Sequence, residues 1–235
     1  MVQIRWRILA AIVVPLLTVI AKLRIREGSV LPAQGPFIIA PNHYSEIDPI
    51  VMGVVVWKLR RTPRFLAKAS LFRVPLLGWL LRFTHQIPVQ RNAGQAIGEP
   101  LKAAAELTAK GSGLIVYPEG TLTKDDDLWP MKGKSGAVRI ALEAGIPLYP
   151  AAHWGTQHLM GRYGKKIRLF PRTRIDVIVG AALDLSMFEG RALTKDVVEE
   201  ATALLMKEIA ILLGSLRGET PPKVLHDGRG ARPKR

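Results

Sequence analysis

The chain has 235 residues, 48% of them apolar and 23% charged, enough for one large domain with a sizeable core and too few for two full ones. Lys and Arg outnumber Asp and Glu by 34 to 19, and the resulting net charge of +15 implies an anionic partner: nucleic acid, a phospholipid surface or a phosphorylated substrate. The absence of cysteine excludes disulfides, thiolate metal sites, Fe–S clusters and a cysteine nucleophile.

The first element is apolar. "ILAAIVVPLLTVIA", Ile8 to Ala21, follows Arg5 and Arg7 and precedes Lys22, Arg24 and Arg26. As a helix it measures about 21 Å, short of the ~30 Å hydrocarbon core of a bilayer. A signal peptide is a rival reading, but Lys22 and Arg24 stand where a small-x-small cleavage site belongs. Basic residues on both flanks give no preferred direction of crossing. The expectation is a helix lying on or dipping into one leaflet, with its cations on anionic head groups at roughly 1 kcal/mol each. An ordinary buried helix is the alternative.

Beyond it, short apolar runs alternate with helical patterns. "KLRIRE" alternates like an edge strand, "PFIIA" reads as a buried strand, "PIVMGVVVWKL" as a helix and "RFLAKA" as a strand. "SLFRVPLLGWLLRF" is apolar on more than one face, and Pro75 kinks or starts a helix there. "QIPVQ" is strand-like, and "PLKAAAELTAKG" is a helix with Pro100 near its start and Gly111 past its end. Next come the strand "GLIVY", the helix "SGAVRIALEAG" and the strand "PLYPAA". "KIRLF" and "RIDVIVG" read as a late strand pair, and Thr194 to Leu216 as a closing amphipathic helix. From Arg217 the chain is rich in Pro, Gly and Arg and is expected to be disordered. The pattern predicts an α/β fold with a mostly parallel central sheet flanked by helices. It divides the chain into an N-terminal membrane-associated segment (residues 1–26), the α/β body (27–216) and a basic tail (217–235).

Sites in such a sheet lie in loops at the carboxyl ends of strands. "GKSG" at Gly133 is not the end of a P-loop, because Leu128 occupies the position of the required first glycine. "GSG" at Gly111 precedes a strand and has Val116 at the third glycine position, so it is no dinucleotide fingerprint, and no G-x-S-x-G elbow is present. Aromatic residues are only 6%, with no RNA-recognition signature or zinc-finger spacing, so nucleic acid has little support beyond charge.

Three loops remain. The first, "APNHYSEIDP", carries Asn42, His43 and Asp48. Folded back, Asp48 could accept from one imidazole nitrogen and leave the other free as a base; equally, Asp48 before Pro49 suits an N-cap and first helical position. The second loop supplies Arg91, and the third, "YPEGTLT", shapes a tight turn around Glu119.

In order, these segments resemble the glycerolipid acyltransferase family, in particular bacterial 1-acylglycerol-3-phosphate acyltransferases. "NHYSEID" is similar to the family's Asn-His-x4-Asp block, and "GWLLRFTHQIPVQR" (Gly78 to Arg91) to its second block ending in Arg. "YPEGTLT" resembles the Phe-Pro-Glu-Gly-Thr-Arg-Ser block, and "IPLYPAAHWGT" the Pro-centred fourth. "GKSGAVRIALEAG" resembles the Lys- and Gly-led helix between the last two.

The resemblance implies that His43 is the general base acting on an acceptor hydroxyl, oriented by Asp48. Arg91 would bind the acceptor phosphate, with Lys68 and Lys134 as further contacts to phosphate or donor, and Asn42 would belong to the same substrate site. Glu119, Gly120 and Thr121 would position the acceptor's glycerol. No cofactor and no metal are expected; the acyl donor would be acyl-CoA or acyl carrier protein, and the acceptor a lysophospholipid. The expected location is the cytoplasmic face of the cell membrane, peripheral or monotopic, on an anionic surface. Leu122 stands where the family usually has Arg, and Thr123 where it usually has Ser. Losing that guanidinium removes a bidentate phosphate donor, so either Lys124 or Lys134 replaces it or the acceptor differs. The alternatives are a same-family transferase using another lysophospholipid, glycerol 3-phosphate or a glycolipid, and a non-catalytic lipid-binding relative.

Overall fold

The computed structural model describes residues 2–89, 111–164 and 166–229. Its strands are β1 (Ala21–Ile25), β2 (Phe37–Pro41), β3 (Pro63–Lys68), β4 (Ile87–Val89), β5 (Gly113–Ile115), β6 (Leu148–Trp154) and β7 (Thr173–Val179). They form one sheet in the order β1-β7-β6-β2-β5-β3-β4. β2 to β6 run parallel. β7 lies antiparallel to β6, and β1 runs parallel to β7, so these two are the reversed strands. The helices are α1 (Val2–Ile20), α2 (Asp48–Lys58), α3 (Leu77–Phe83), α4 (Gly136–Ala144), α5 (Thr156–Leu159) and α6 (Lys195–Arg217). The expected mostly parallel α/β fold is the one observed.

The period-2 alternation of β2 explains the layers. Phe37 and Ile39 point to one face and pack with α1 and α2 through Leu17, Val51 and Val55. Ile38 and Ala40 point to the other and pack with α4 and α6 through Val138, Ile140, Leu205 and Ile209. A strand buried on both faces must be apolar throughout, as "PFIIA" is. The closing helix begins where Thr194 accepts the Val197 N–H and ends at Gly218, which adopts the left-handed conformation.

The N-terminal segment differs from expectation in extent. The helix spans Val2–Ile20, and Ala21 already belongs to β1. Leu17 is buried against the body, while Ile4, Ile8, Ile12, Leu16 and Val19 form a bare apolar stripe along the opposite face. Among the described residues no helix is long and apolar enough to cross a membrane.

Two further expectations are corrected. "KIRLF" forms no strand: residues 166–172 are an exposed loop. β7 has β6 on one edge and β1 on the other, so the alternating run has no strand left to pair with. The segment after α6 is not disordered through Arg229. Arg217 lies over the rings of Trp129 and Trp154 at 4.2 and 4.6 Å, the Lys132 N–H donates to the His226 carbonyl, and the Lys124 ammonium donates to the Gly228 carbonyl. Cation–π and backbone contacts hold a stretch that offers little apolar surface. The helix expected over "PLKAAAELTAKG" lies outside the described residues.

Candidate active site

Three chain segments meet at the carboxyl edge of the sheet: the loop after β2, the loop after β5, and the end of β6. The first carries the chemistry. His43 Nδ1 lies 2.9 Å from Asp48 Oδ2, and the same oxygen accepts the N–H groups of Tyr44 and Ser45, each at 2.8 Å. Asp48 therefore does not cap α2: the helix starts at Asp48 itself, after Ile47, with no side-chain cap, and the carboxylate faces backward into the loop. Pro49 takes the first helical turn as expected, since its missing N–H costs nothing there.

The Asp48 side chain is fully buried, whereas that of His43 keeps 14% of its surface exposed. Burial raises the carboxyl's pKa, but the neighbouring imidazole of His153 and the donor on His43 more than offset it, leaving the pKa below the ordinary carboxylate value. An acceptor-only partner at Nδ1 fixes the proton on that nitrogen and leaves Nε2 as a lone-pair base. The Tyr117 ring stacks on the imidazole, with centroids 4.1 Å apart, and limits its rotation.

The second loop holds the His43 backbone. Glu119 Oε1 accepts the His43 N–H at 2.9 Å, Oε2 accepts the Met131 N–H at 3.0 Å, and the Thr123 N–H donates to the His43 carbonyl at 2.7 Å. Glu119 is only 2% exposed, and burial pushes its carboxyl up to about 8 against the pull of those two donors. Gly120 is required by its φ of +70°; a Cβ there would meet only the flexible end of Lys134, whose Nζ would lie 2.9 Å away. Lys134 is thus laid over the turn, its own N–H donating to the Pro118 carbonyl at 2.7 Å. Thr121 is exposed, while Leu122 is packed inside at 3% exposure.

The third contribution was not singled out in the sequence. His153, on β6, is fully buried, with Nε2 3.0 Å from the Asn42 carbonyl and 3.7 Å from Asp48 Oδ2. Both neighbours are acceptors, so the proton sits on Nε2, and Nδ1 faces the Thr156 hydroxyl at 3.4 Å. Burial depresses the pKa of this imidazole, and the Asp48 carboxylate pulls it the other way. The Asn42 amide pairs both ways with the His153 backbone, at 2.9 and 3.2 Å, and the Tyr44 hydroxyl donates to the same carbonyl. The one available signal was a histidine inside an apolar strand, since a buried ring of that kind needs partners.

The expected residues therefore separate. His43 and Asp48 come together; Gly120 and Thr121 belong to the turn whose Glu119 and Thr123 bond the His43 backbone, and Lys134 lies against Gly120. Asn42 and Glu119 are buried, with their polar atoms engaged by backbone. Lys68 ends β3, its side chain outside the described residues, and Arg91 lies outside them altogether.

Residues 22–154 match the model of the Acyltransferase family, a span that takes in His43, Asp48, Glu119, Lys134 and His153. The chain belongs to the acyltransferase family. It is 33% identical to the 1-acyl-sn-glycerol-3-phosphate acyltransferase of Bacillus subtilis, a match covering 67% of this chain and 72% of that one. It is 30% identical to a chloroplastic 1-acyl-sn-glycerol-3-phosphate acyltransferase of Brassica napus over 66% of this chain and 44% of the relative, so it spans under half of that plant protein. Among acyltransferases of known structure, the 1-acyl-sn-glycerophosphate acyltransferase PlsC of Thermotoga maritima superposes with a TM-score of 0.64. At 19% identity, covering 92% of this chain and 81% of that one, the likeness concerns the fold.

Proposed function

We propose that this acyltransferase moves an acyl chain from a thioester, acyl-CoA or acyl carrier protein, to the free hydroxyl of 1-acyl-sn-glycerol-3-phosphate, giving phosphatidic acid. The observation that carries the reading is the 2.9 Å contact between His43 Nδ1 and a buried Asp48, beside an imidazole still partly open to solvent. The acceptor hydroxyl gives its proton to His43 Nε2 as its oxygen attacks the thioester carbonyl. The tetrahedral intermediate then collapses, the C–S bond breaks, and the departing thiolate takes the proton back from His43. Asp48 stabilises the imidazolium in between, an arrangement that contributes roughly 10²–10⁴-fold. No acyl-enzyme is needed, consistent with a chain lacking cysteine.

Lys134, laid over the Gly120 turn, is the cation best placed to take the acceptor phosphate, with Arg91 and Lys68 as further contacts and Thr121 toward the glycerol. Asn42 and Glu119 act by position, holding the His43 loop. The buried Leu122 supports a second reading of the acceptor, another lysophospholipid with a different head group, because no guanidinium stands at that place. The acceptor is membrane-borne, and the bare stripe of α1 with exposed Lys22, Arg24 and Arg26 beyond it suits an anionic bilayer, in keeping with a peripheral protein of the cytoplasmic face.

An acceptor panel with one acyl-CoA, following free thiol and using the His43→Ala protein as control, tests the reading. Turnover on 1-acyl-sn-glycerol-3-phosphate above other acceptors supports it, and turnover on none refutes it.

A further inference from the structure

The molecule has another exposed apolar group apart from α1. In the loop of residues 166–172, Ile167, Leu169 and Phe170 are 45%, 66% and 86% exposed. Lys166, Arg168 and Arg172 stand exposed between and beside them, and no acidic residue occurs from Gly161 to Arg174. Burying three large apolar side chains is favourable, and leaving them in water is not explained by packing within the chain.

The loop's position follows from strand direction. β7 runs against β6, with Asp176 opposite Trp154, so its first residue, Thr173, lies beyond the carboxyl end of β6. That is the edge from which the His43 loop leaves β2. Ala21, at the end of α1, pairs with Thr173 at the same edge, and the Arg172 guanidinium donates to the Ala21 carbonyl at 3.2 Å. On the other side, the Arg168 N–H donates to the Leu159 carbonyl, and the next residue's carbonyl, Met160, accepts the Ser45 hydroxyl of the His43 loop at 2.6 Å. The loop is thereby tied both to α1 and to the catalytic loop.

We propose that residues 166–172 are a membrane-docking loop. Ile167, Leu169 and Phe170 enter the interfacial layer of an anionic bilayer, while Lys166, Arg168 and Arg172 meet lipid phosphates, so that the His43 edge of the sheet faces the lipid. This deepens the membrane reading given above and adds a contact independent of α1. Apolar side chains at a tip with cations around them suit an interface that is apolar below and anionic above. An acidic protein partner would need a complementary surface of roughly 800 Å² on each side, more than one short loop offers.

The absence of native cysteine makes the test direct. Full-length Phe170→Cys carries an environment-sensitive fluorophore. Met187→Cys, 58% exposed and just beyond Leu183, whose N–H donates to the Leu148 carbonyl at the amino end of β6, is the control. With vesicles of phosphatidylglycerol and phosphatidylcholine, the label at 170 brightens and shifts to the blue, and the label at 187 does not. The double variant Leu169→Ser/Phe170→Ser loses on the order of tenfold or more in partitioning to those vesicles. Its turnover on an acceptor dispersed below its micelle concentration stays at the wild-type level, which also shows that it folds. A protein that binds vesicles with the label at 170 silent overturns the proposal. So does undiminished partitioning of the double variant, or a label that answers to an acidic carrier protein but not to vesicles. Loss of turnover on every dispersed acceptor by the wild-type protein would instead count against the acyl-transfer reading.

Discussion

Replacing Asp48 by Asn separates the two services of this carboxylate. Oδ2 accepts from the Tyr44 and Ser45 N–H groups and from His43 Nδ1. Two backbone donors 2.8 Å away will not tolerate an amide NH₂ in that place, so the Asn oxygen takes it. Nδ1–H of His43 then still finds an acceptor, and the tautomer survives. What disappears is the negative charge beside the imidazolium formed during transfer. A hydrogen bond to a charged partner contributes about twice as much as a neutral one, so the difference amounts to ~1.4 kcal/mol, roughly tenfold in rate. Steady-state thiol release from acyl-CoA should show kcat down by about that factor with the acceptor KM little changed. Activity within roughly threefold of wild type would refute the charge argument and reduce Asp48 to an acceptor for backbone N–H groups.

Three other perturbations follow from the same geometry. Glu119 is held neutral by burial, with a pKa raised from 4.5 to about 8, so ionising it destabilises the fold as pH rises from its unfolded value through 8. In thermal unfolding, the stability of wild type relative to Glu119→Gln should therefore fall as pH rises from about 4.5 to about 8, by up to about 5 kcal/mol, and stay level above that; a pH-independent gap would contradict this. Lys134→Ala should raise the acceptor KM about tenfold or more with a smaller change in kcat, and an unchanged KM would remove it from the phosphate site. His153→Ala leaves the Asn42 carbonyl short of a donor and opens a cavity beneath Asp48. It should cost about 2–4 kcal/mol in denaturant unfolding, and a cost under ~1 kcal/mol would show the pairing to be idle.

What could be read in the sequence was what depends on neighbours along the chain. β2 is a short apolar run, and His43 and Asp48 sit five positions apart in one loop, so both strand and pair were legible. The partners of Glu119 and His153 are not local. The carboxyl meets a backbone N–H 76 positions away, and Asn42 meets His153 across 111, and no spacing rule reaches that far. For that reason Glu119 and Asn42 read as substrate contacts although their polar atoms are engaged by backbone. "KIRLF" alternates as well as "KLRIRE" does, but only β1 finds a strand edge, because pairing is decided by the whole sheet. The tail from Arg217 has the composition of a disordered segment, and Trp129 and Trp154, which hold its first residue, lie elsewhere in the chain.

The most direct measurement is the His43→Ala protein in the thiol-release assay with 1-acyl-sn-glycerol-3-phosphate, its fold verified by thermal unfolding. General-base transfer predicts a fall in kcat of roughly 10²–10⁴-fold with the unfolding temperature close to wild type. A folded variant that keeps more than about a tenth of wild-type turnover would mean that some other group takes the hydroxyl's proton.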